Sequence, residues 1–294
     1  MPKQTLHSKR ASIAPPSNLG VVGVRPSKGR GQNFLIQPAV AKRIVDLAEL
    51  GAGDHVLEIG PGLGMLTEHI ASHPISHLTL VELDRRLASR LEELFAGDRR
   101  VRAMNLDFIE LDLASLGGPL KILGNLPFNS AGAILRRLCE HSRQVARMVL
   151  MFQREVGERI RARPATSDYS ALSVYTALYF EIESHFRVGA GNFHPRPMVD
   201  AEVLAFTPRA ELPFDSHEEA AVLATIRASF SAPRKTIRNS LAHGLAIDPA
   251  RAAEILREAG IDPGARAETL RPATFVVLAR SLMRLAPDSV AAHA

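Results

Sequence analysis

A single cysteine, Cys139, stands in the 294 residues. Set in a Leu- and Arg-rich helical stretch, it cannot close an intrachain disulfide and supplies no metal-ligand cluster. No metal site is expected. The chain has no run of about 18 apolar residues and no apolar core of a secretory signal near its start, so neither a membrane span nor export is expected. Cytoplasm is the simplest compartment, and a monomer the simplest state. No internal repeat is evident. Acidic residues are missing from Met1 to Val45, where eight Lys and Arg occur, so with a formal total of +5 the remaining chain carries −3. Positive charge is therefore concentrated at the N-terminus. An acid-free leader of this kind is what an RNA-binding tail looks like, and an organelle transit peptide has the same composition.

What is present divides the chain into three parts. Residues 1–27 carry Pro15-Pro16 and scattered Ser and Gly with no sustained apolar period, which predicts a mobile tail. From about residue 28 to 207 short apolar runs at His55–Ile59, Leu78–Leu83, Val101–Met104, Lys121–Leu123 and Met148–Phe152 alternate with helical patterns such as Arg85–Phe95 and Ala131–His141. This rhythm predicts a Rossmann-like α/β domain with a parallel, doubly wound sheet, whose ligands sit at the carboxyl ends of the strands. Between residues 208 and 294 strand signals vanish and helical patterns take over, at Glu218–Phe230, Lys235–His243, Ala250–Ala259 and Pro272–Leu285. A small all-helical domain is expected there.

The first strand feeds a glycine loop, Glu58-Ile59-Gly60-Pro61-Gly62-Leu63-Gly64, in which backbone approaches a ligand closely. A dinucleotide fingerprint needs glycines at relative positions one, three and six. Here the sixth is Met65 and Pro61 lacks an amide donor. The spacing fits instead the nucleoside-and-amino-acid pocket of a methyltransferase, which holds no pyrophosphate. The next strand ends Val81-Glu82-Leu83-Asp84, where Glu82 is placed to accept ribose hydroxyls and Asp84 to cap the following helix. After the third strand, Asp107 is placed to accept an adenine amino group, with Phe108 packing nearby.

The fourth strand ends Asn125-Leu126-Pro127-Phe128. A purine exocyclic amine is a poor nucleophile because its lone pair is delocalised into the ring. The Asn125 side-chain oxygen and the Leu126 carbonyl can each take one N–H and steer that lone pair towards a sulfonium methyl. Pro127 fixes the turn. Phe128 can stack on the base, a contact worth about 1–3 kcal/mol. No strong base is required. These residues predict methylation of an amine with S-adenosylmethionine as donor.

At this point the chain resembles the KsgA family of small-subunit rRNA adenine dimethyltransferases, related to the Erm resistance methylases. The segments that carry the resemblance are Gly31-Gln32-Asn33-Phe34-Leu35, the glycine loop, Val81–Asp84, Asn125–Phe128, Phe193-His194-Pro195-Arg196-Pro197 and Arg234-Lys235-Thr236-Ile237-Arg238-Asn239-Ser240-Leu241. It implies that Asn33 and Leu35 cover the methionine end of the cofactor, that Gly60, Glu82, Asp107 and Asn125 complete its pocket, and that Phe193 faces Phe128 across the target adenine. It also implies dimethylation of two adjacent adenines in a small-subunit rRNA hairpin, with the assembling small subunit as partner. An Erm-like methylase of large-subunit rRNA and a non-catalytic assembly or transcription factor on the same fold are the alternatives. Reading Ser231–Leu241 as helical sets Arg227, Arg234 and Arg238 on one face at i, i+7 and i+11, with Lys235 adjacent, a stripe suited to RNA phosphates. The chain departs from the family in Asn129-Ser130-Ala131-Gly132-Ala133, where a Ser-Thr-Pro-like stretch is usual, and in Met198, where Lys is common.

Overall fold

A computed structural model describes residues 32–127 and 129–293. The expected tail at residues 1–27 and Phe128 lie outside the described residues. The strands are β1 (Phe34–Leu35), β2 (His55–Ile59), β3 (His77–Glu82), β4 (Val101–Asn105), β5 (Leu120–Asn125), β6 (Val145–Gln153), β7 (Phe180–Val188), β8 (Phe193–His194) and β9 (Ala201–Pro208). Among them run α1 (Pro38–Asp46), α2 (Met65–Ala71), α3 (Arg85–Leu94), α4 (Ala131–Glu140), α5 (Arg154–Ile160) and α6 (Ala171–Tyr179). After β9 only helices follow: α7 (Glu219–Ser229), α8 (Ile237–Gly244), α9 (Pro249–Glu258), α10 (Pro272–Leu285) and α11 (Pro287–Ala291).

The main sheet has the order β4-β3-β2-β5-β6-β9-β7, with β2 to β6 parallel and β9 antiparallel to both its neighbours. The reversal of strand order beside β2 puts a crevice at the carboxyl ends of β2 and β5. A two-stranded ribbon, β1 with β8, lies apart, pairing Leu35 with Phe193.

Alternation along the strands builds two cores, because successive side chains point to opposite faces. In β6, Met148, Leu150 and Phe152 enter one apolar cluster while Val149 and Met151 enter the other. In β9, Leu204 and Phe206 join the first and Val203 and Ala205 the second. The second cluster is covered by Ile44 and Val45 of α1, Leu66 and Ile70 of α2 and Leu91 of α3. The first is covered by Leu135 and Leu138 of α4 and by Tyr175 and Tyr179 of α6, and it continues without a break into Val222, Leu223 and Ile226 of α7 and Phe275 and Val276 of α10. The helical segment after Pro208 thus shares a core with the sheet.

Two expectations need correction. The antiparallel strands β7 and β9 extend the sheet beyond the expected parallel strands. The Ser231–Leu241 segment is not one helix: α7 stops at Ser229 and α8 starts at Ile237, with Thr236 at its N-cap and Pro233 in the intervening turn. Arg227, Arg234 and Arg238 therefore do not share a helical face.

The α7 and α8 helices cross closely at Gly244, where an added Cβ would lie 2.5 Å from Ala228 Cα. Backbone on both sides leaves little room to yield. Gly244→Ala is expected to destabilise the protein by about 1–3 kcal/mol through overpacking, read from the midpoint of urea unfolding. An unchanged midpoint would mean that the two helices separate freely.

Candidate active site

The glycine loop leaves β2 with Gly60, Gly62 and Gly64 all at positive φ (66°, 58° and 90°). A Cβ on Gly62 would lie 3.0 Å from the Phe34 ring, so glycine is required there both for the turn and for the close approach. Gly60 N–H donates to Val81 O at 2.9 Å, tying the loop to β3. Glu82, buried at the end of β3, closes the arrangement. Its Oε2 accepts the Gly62 N–H at 3.0 Å and its Oε1 accepts the Asp84 N–H at 2.9 Å. Asp84 caps α3 by accepting the Arg86 N–H at 3.0 Å.

Asp107 caps the short turn after β4, with Oδ1 accepting the Ile109 N–H at 3.0 Å. Asn125 ends β5. Its Nδ2 donates to Asn33 O at 3.0 Å, which leaves Oδ1 as the acceptor end of the amide. Leu126 N–H donates to Met151 O at 3.1 Å, and Pro127 O accepts the N–H groups of Ser130 and Ala131, which turns the chain into α4. The Leu126 side chain is buried, so at this residue only the backbone carbonyl remains to serve a ligand.

Asn33, Gly60, Glu82, Asp107 and Asn125 all lie on or beside the carboxyl rim of β2 to β5. Leu35 and Phe193 are both buried, paired with each other in the ribbon and packed into the second core. In this state the Phe193 ring is a core side chain. Arg234 and Lys235 are exposed in the turn before α8 and Arg238 is exposed in its first helical turn, whereas Arg227 donates to the His293 carbonyl beside α11.

The sequence reading passed over several residues. Leu83, 53% exposed, and Ile109, 38% exposed, follow Glu82 and Asp107 closely and offer apolar walls suited to a flat ring. Exposed aliphatics next to two assigned acids were the available signal. Asn105 Nδ2 donates to Glu82 O and Leu83 O, at 3.0 and 3.2 Å, and so fixes that wall. Glu58 is fully buried beneath the glycine loop, its Oε2 accepting the Thr67 hydroxyl at 2.7 Å and its Oε1 making no hydrogen bond. A carboxylate inside an apolar strand was the clue. Burial, with the nearby Glu82 charge adding to it, pushes the Glu58 pKa up to about 8 against the opposing Thr67 hydrogen bond.

A buried acceptor without a partner, a carboxylate held at the end of β3 and exposed apolar side chains beside it match the amino, ribose and adenine parts of S-adenosylmethionine. Among the described residues no cluster of metal-ligating side chains occurs. On this sheet, the site defines a Rossmann-like, S-adenosylmethionine-dependent methyltransferase. The family model described as ribosomal RNA adenine dimethylase matches residues 26–283. Curated relatives named ribosomal RNA small subunit methyltransferase A include one from Geobacter metallireducens, 38% identical over 90% of this chain and 98% of the relative. Another, from Moorella thermoacetica, is 40% identical over 88% of this chain and 93% of its own. Among solved structures, a dimethyladenosine transferase from Plasmodium falciparum superposes with a TM-score of 0.70 at 22% identity, covering 85% of this chain and 98% of that one. The 23S rRNA methyltransferase ErmE gives a TM-score of 0.60 at 28% identity over 85% of this chain and 99% of its own. The chain belongs to the ribosomal RNA adenine dimethylase family.

Glu58 makes folding depend on pH. Its folded pKa of about 8 lies above the ordinary 4.5. As pH rises past 4.5 the unfolded chain releases this proton while the folded chain keeps it, so stability falls until about pH 8 and then levels. In Glu58→Gln the urea midpoint is expected to vary less across that window than in the parent. Coincident curves would show Glu58 ionised in the folded protein.

Proposed function

We propose that the chain dimethylates N6 of two adjacent adenines in the 3'-terminal hairpin of small-subunit rRNA, as a monomer in the cytoplasm, while the small subunit assembles. The curated relatives named for the small ribosomal subunit, at 38–40% identity over about nine-tenths of the chain, support that substrate. We assign residues 28–207 to methyl transfer and 208–294 to RNA contact.

When bound, S-adenosylmethionine supplies an electrophilic methyl on a sulfonium. Glu82 would hold the ribose hydroxyls, Asp107 with Leu83 and Ile109 the adenine, and Asn33, Leu35, Gly60 and Glu58 the loop side and the methionine end. The observation that carries the chemistry is the Asn125 amide, pinned through Nδ2 to Asn33 O with Oδ1 left as acceptor. Oδ1 and the Leu126 carbonyl take the two N–H groups of the amine and hold its lone pair out of the ring plane. A weakly basic aniline-like nitrogen needs no general base before attack, because its proton becomes acidic only once the methyl is attached. Phe128 and Phe193 are proposed as the walls of the base. Phe193 takes that role only after leaving the core position it holds in this state. Arg234, Lys235 and Arg238 contact phosphates.

The test is methyl transfer to unmethylated small subunits with labelled cofactor, followed by mass spectrometry of the nucleosides. Dimethylated adenine in the small subunit is expected. Asn125→Ala is expected to lower kcat by about 10²–10³-fold, the loss typical for one preorganised polar group, with RNA affinity kept. Label confined to large-subunit RNA would identify an Erm-like enzyme instead. An Asn125→Ala variant that still restored assembly in full would favour a non-catalytic factor.

A further inference from the structure

The proposed walls Phe128 and Phe193 need both faces of the target adenine, so the base has to leave its stack before N6 is methylated. Extrusion opens a gap in the RNA, and an apolar side chain that enters the gap offsets the lost stacking. Such a side chain has to stand at the mouth of the site, outside the pocket, with no packing of its own in the free protein and on backbone that does not yield. Met198 meets each of these requirements.

The loop 195–199 is anchored at both ends to partners of Asn125 and Leu126, the residues assigned to the amine. At its start, His194 pairs with Phe34, the neighbour of Asn33, whose carbonyl accepts the Asn125 amide at 3.0 Å. At its end, Ala201 pairs with Gln153, two residues beyond Met151. Met151 stands in register with Asn125 and accepts the Leu126 N–H at 3.1 Å. The return point is tied twice more: Asp200 Oδ1 accepts the Ala190 N–H and Asp200 O the Arg154 N–H, each at 2.9 Å. Pro195 and Pro197 restrict φ on the way, which stiffens so short a loop.

Met198 is 101% exposed, so its whole side chain is in water. The other exposed large apolar side chains among the described residues, Ile36, Leu83, Leu94, Ile109 and Val277, range from 38% to 53%. Met198 therefore has no part in a core and no packing to lose on substitution. It stands where Lys is common in the family, yet a thioether offers a phosphate nothing, whereas it packs well against aromatic rings. We infer that Met198 enters the RNA stack beside the target adenine, packs on the base left behind and so keeps the target adenine extruded towards Asn125 and Leu126. This rests on the proposed rRNA substrate and makes Met198 a positioning residue that acts through the RNA, outside the pocket in which the methyl is transferred.

The experiment compares the parent, Met198→Ala and Met198→Leu on unmethylated small subunits with labelled cofactor. In parallel, each is bound to small subunits rebuilt with 2-aminopurine, a base that fluoresces when unstacked, in place of one target adenine. The parent is expected to brighten the probe. Met198→Ala is expected to lose most of that rise and to lower kcat by about 10-fold, with KM for the subunit, cofactor affinity and the urea midpoint unchanged. Met198→Leu is expected to keep parental brightness and kcat. Parental brightness and kcat in Met198→Ala, or a Met198→Leu variant as impaired as Met198→Ala, would overturn the inference. So would a raised KM at parental kcat, because Met198 would then serve affinity alone. A parent that neither brightens the probe nor labels the small subunit would overturn the proposed substrate instead.

Discussion

The Glu82 carboxylate, with Gly62 N–H on one oxygen and Asp84 N–H on the other, is the contact on which the site's geometry depends. It joins the glycine loop of β2 to the end of β3, two backbone segments that also meet through Gly60 N–H and Val81 O. Each carboxylate oxygen takes one of the two backbone N–H groups, so one side chain holds both segments. The rim is shaped at this point by one side chain. Beneath it, burial raises the Glu58 pKa, and the nearby Glu82 charge adds to that rise.

The parallel part of the fold was legible because buried strands are short apolar runs and because the loops between them carry glycine and acids. His55–Ile59 and Pro272–Leu285 are found at the bounds the pattern sets. The antiparallel pair was not legible. The β7 strand, Phe-Glu-Ile-Glu-Ser-His-Phe-Arg-Val, is an edge strand with half its residues in solvent, and β9 returns only after the excursion 189–200, whose Pro195 and Pro197 hide it from any hairpin signature. The arginine stripe failed for a related reason. Periodicity was carried across Pro233, although a proline there ends the pattern just as well.

Site residues divide along the same line. Glu82, Asp107 and Asn125 stand out as candidates in the sequence because an acid or amide recurs at the carboxyl ends of successive strands, and the structure places all three on or beside that rim. Leu83 and Ile109 were not, since a lone exposed aliphatic on a surface is ordinary. Only their neighbours give them meaning. Phe193 shows the limit of motif reasoning: the segment around it is specific, yet its ring belongs to the second core together with Leu35, Val188 and Met151. Sequence places a residue near a site, and packing decides which way it points.

The continuity of the first core sets the scale on which such turning can occur. Tyr175 and Tyr179 of α6 lie in one apolar cluster with Val222 and Ile226 of α7 and Phe275 of α10, and hydrogen bonds from Tyr175 to Leu223 O and from Tyr179 to Glu219 reinforce the junction. A hydrophobic junction of this kind resists the relative motion expected of domains joined by a small polar interface. Opening the helical segment away from the sheet would expose these aromatic side chains, each worth roughly 1.5–3 kcal/mol of burial. The β1–β8 ribbon is held by two pairs of residues, the Ile36 N–H to Asn192 O bond and the Asn125 amide, and by burial of Leu35 and Phe193 in the second core and of Phe34 with Leu63 and Leu87. The helical segment and the ribbon beside Asn125 are thus both fixed to the sheet by apolar burial, the helical segment through more side chains.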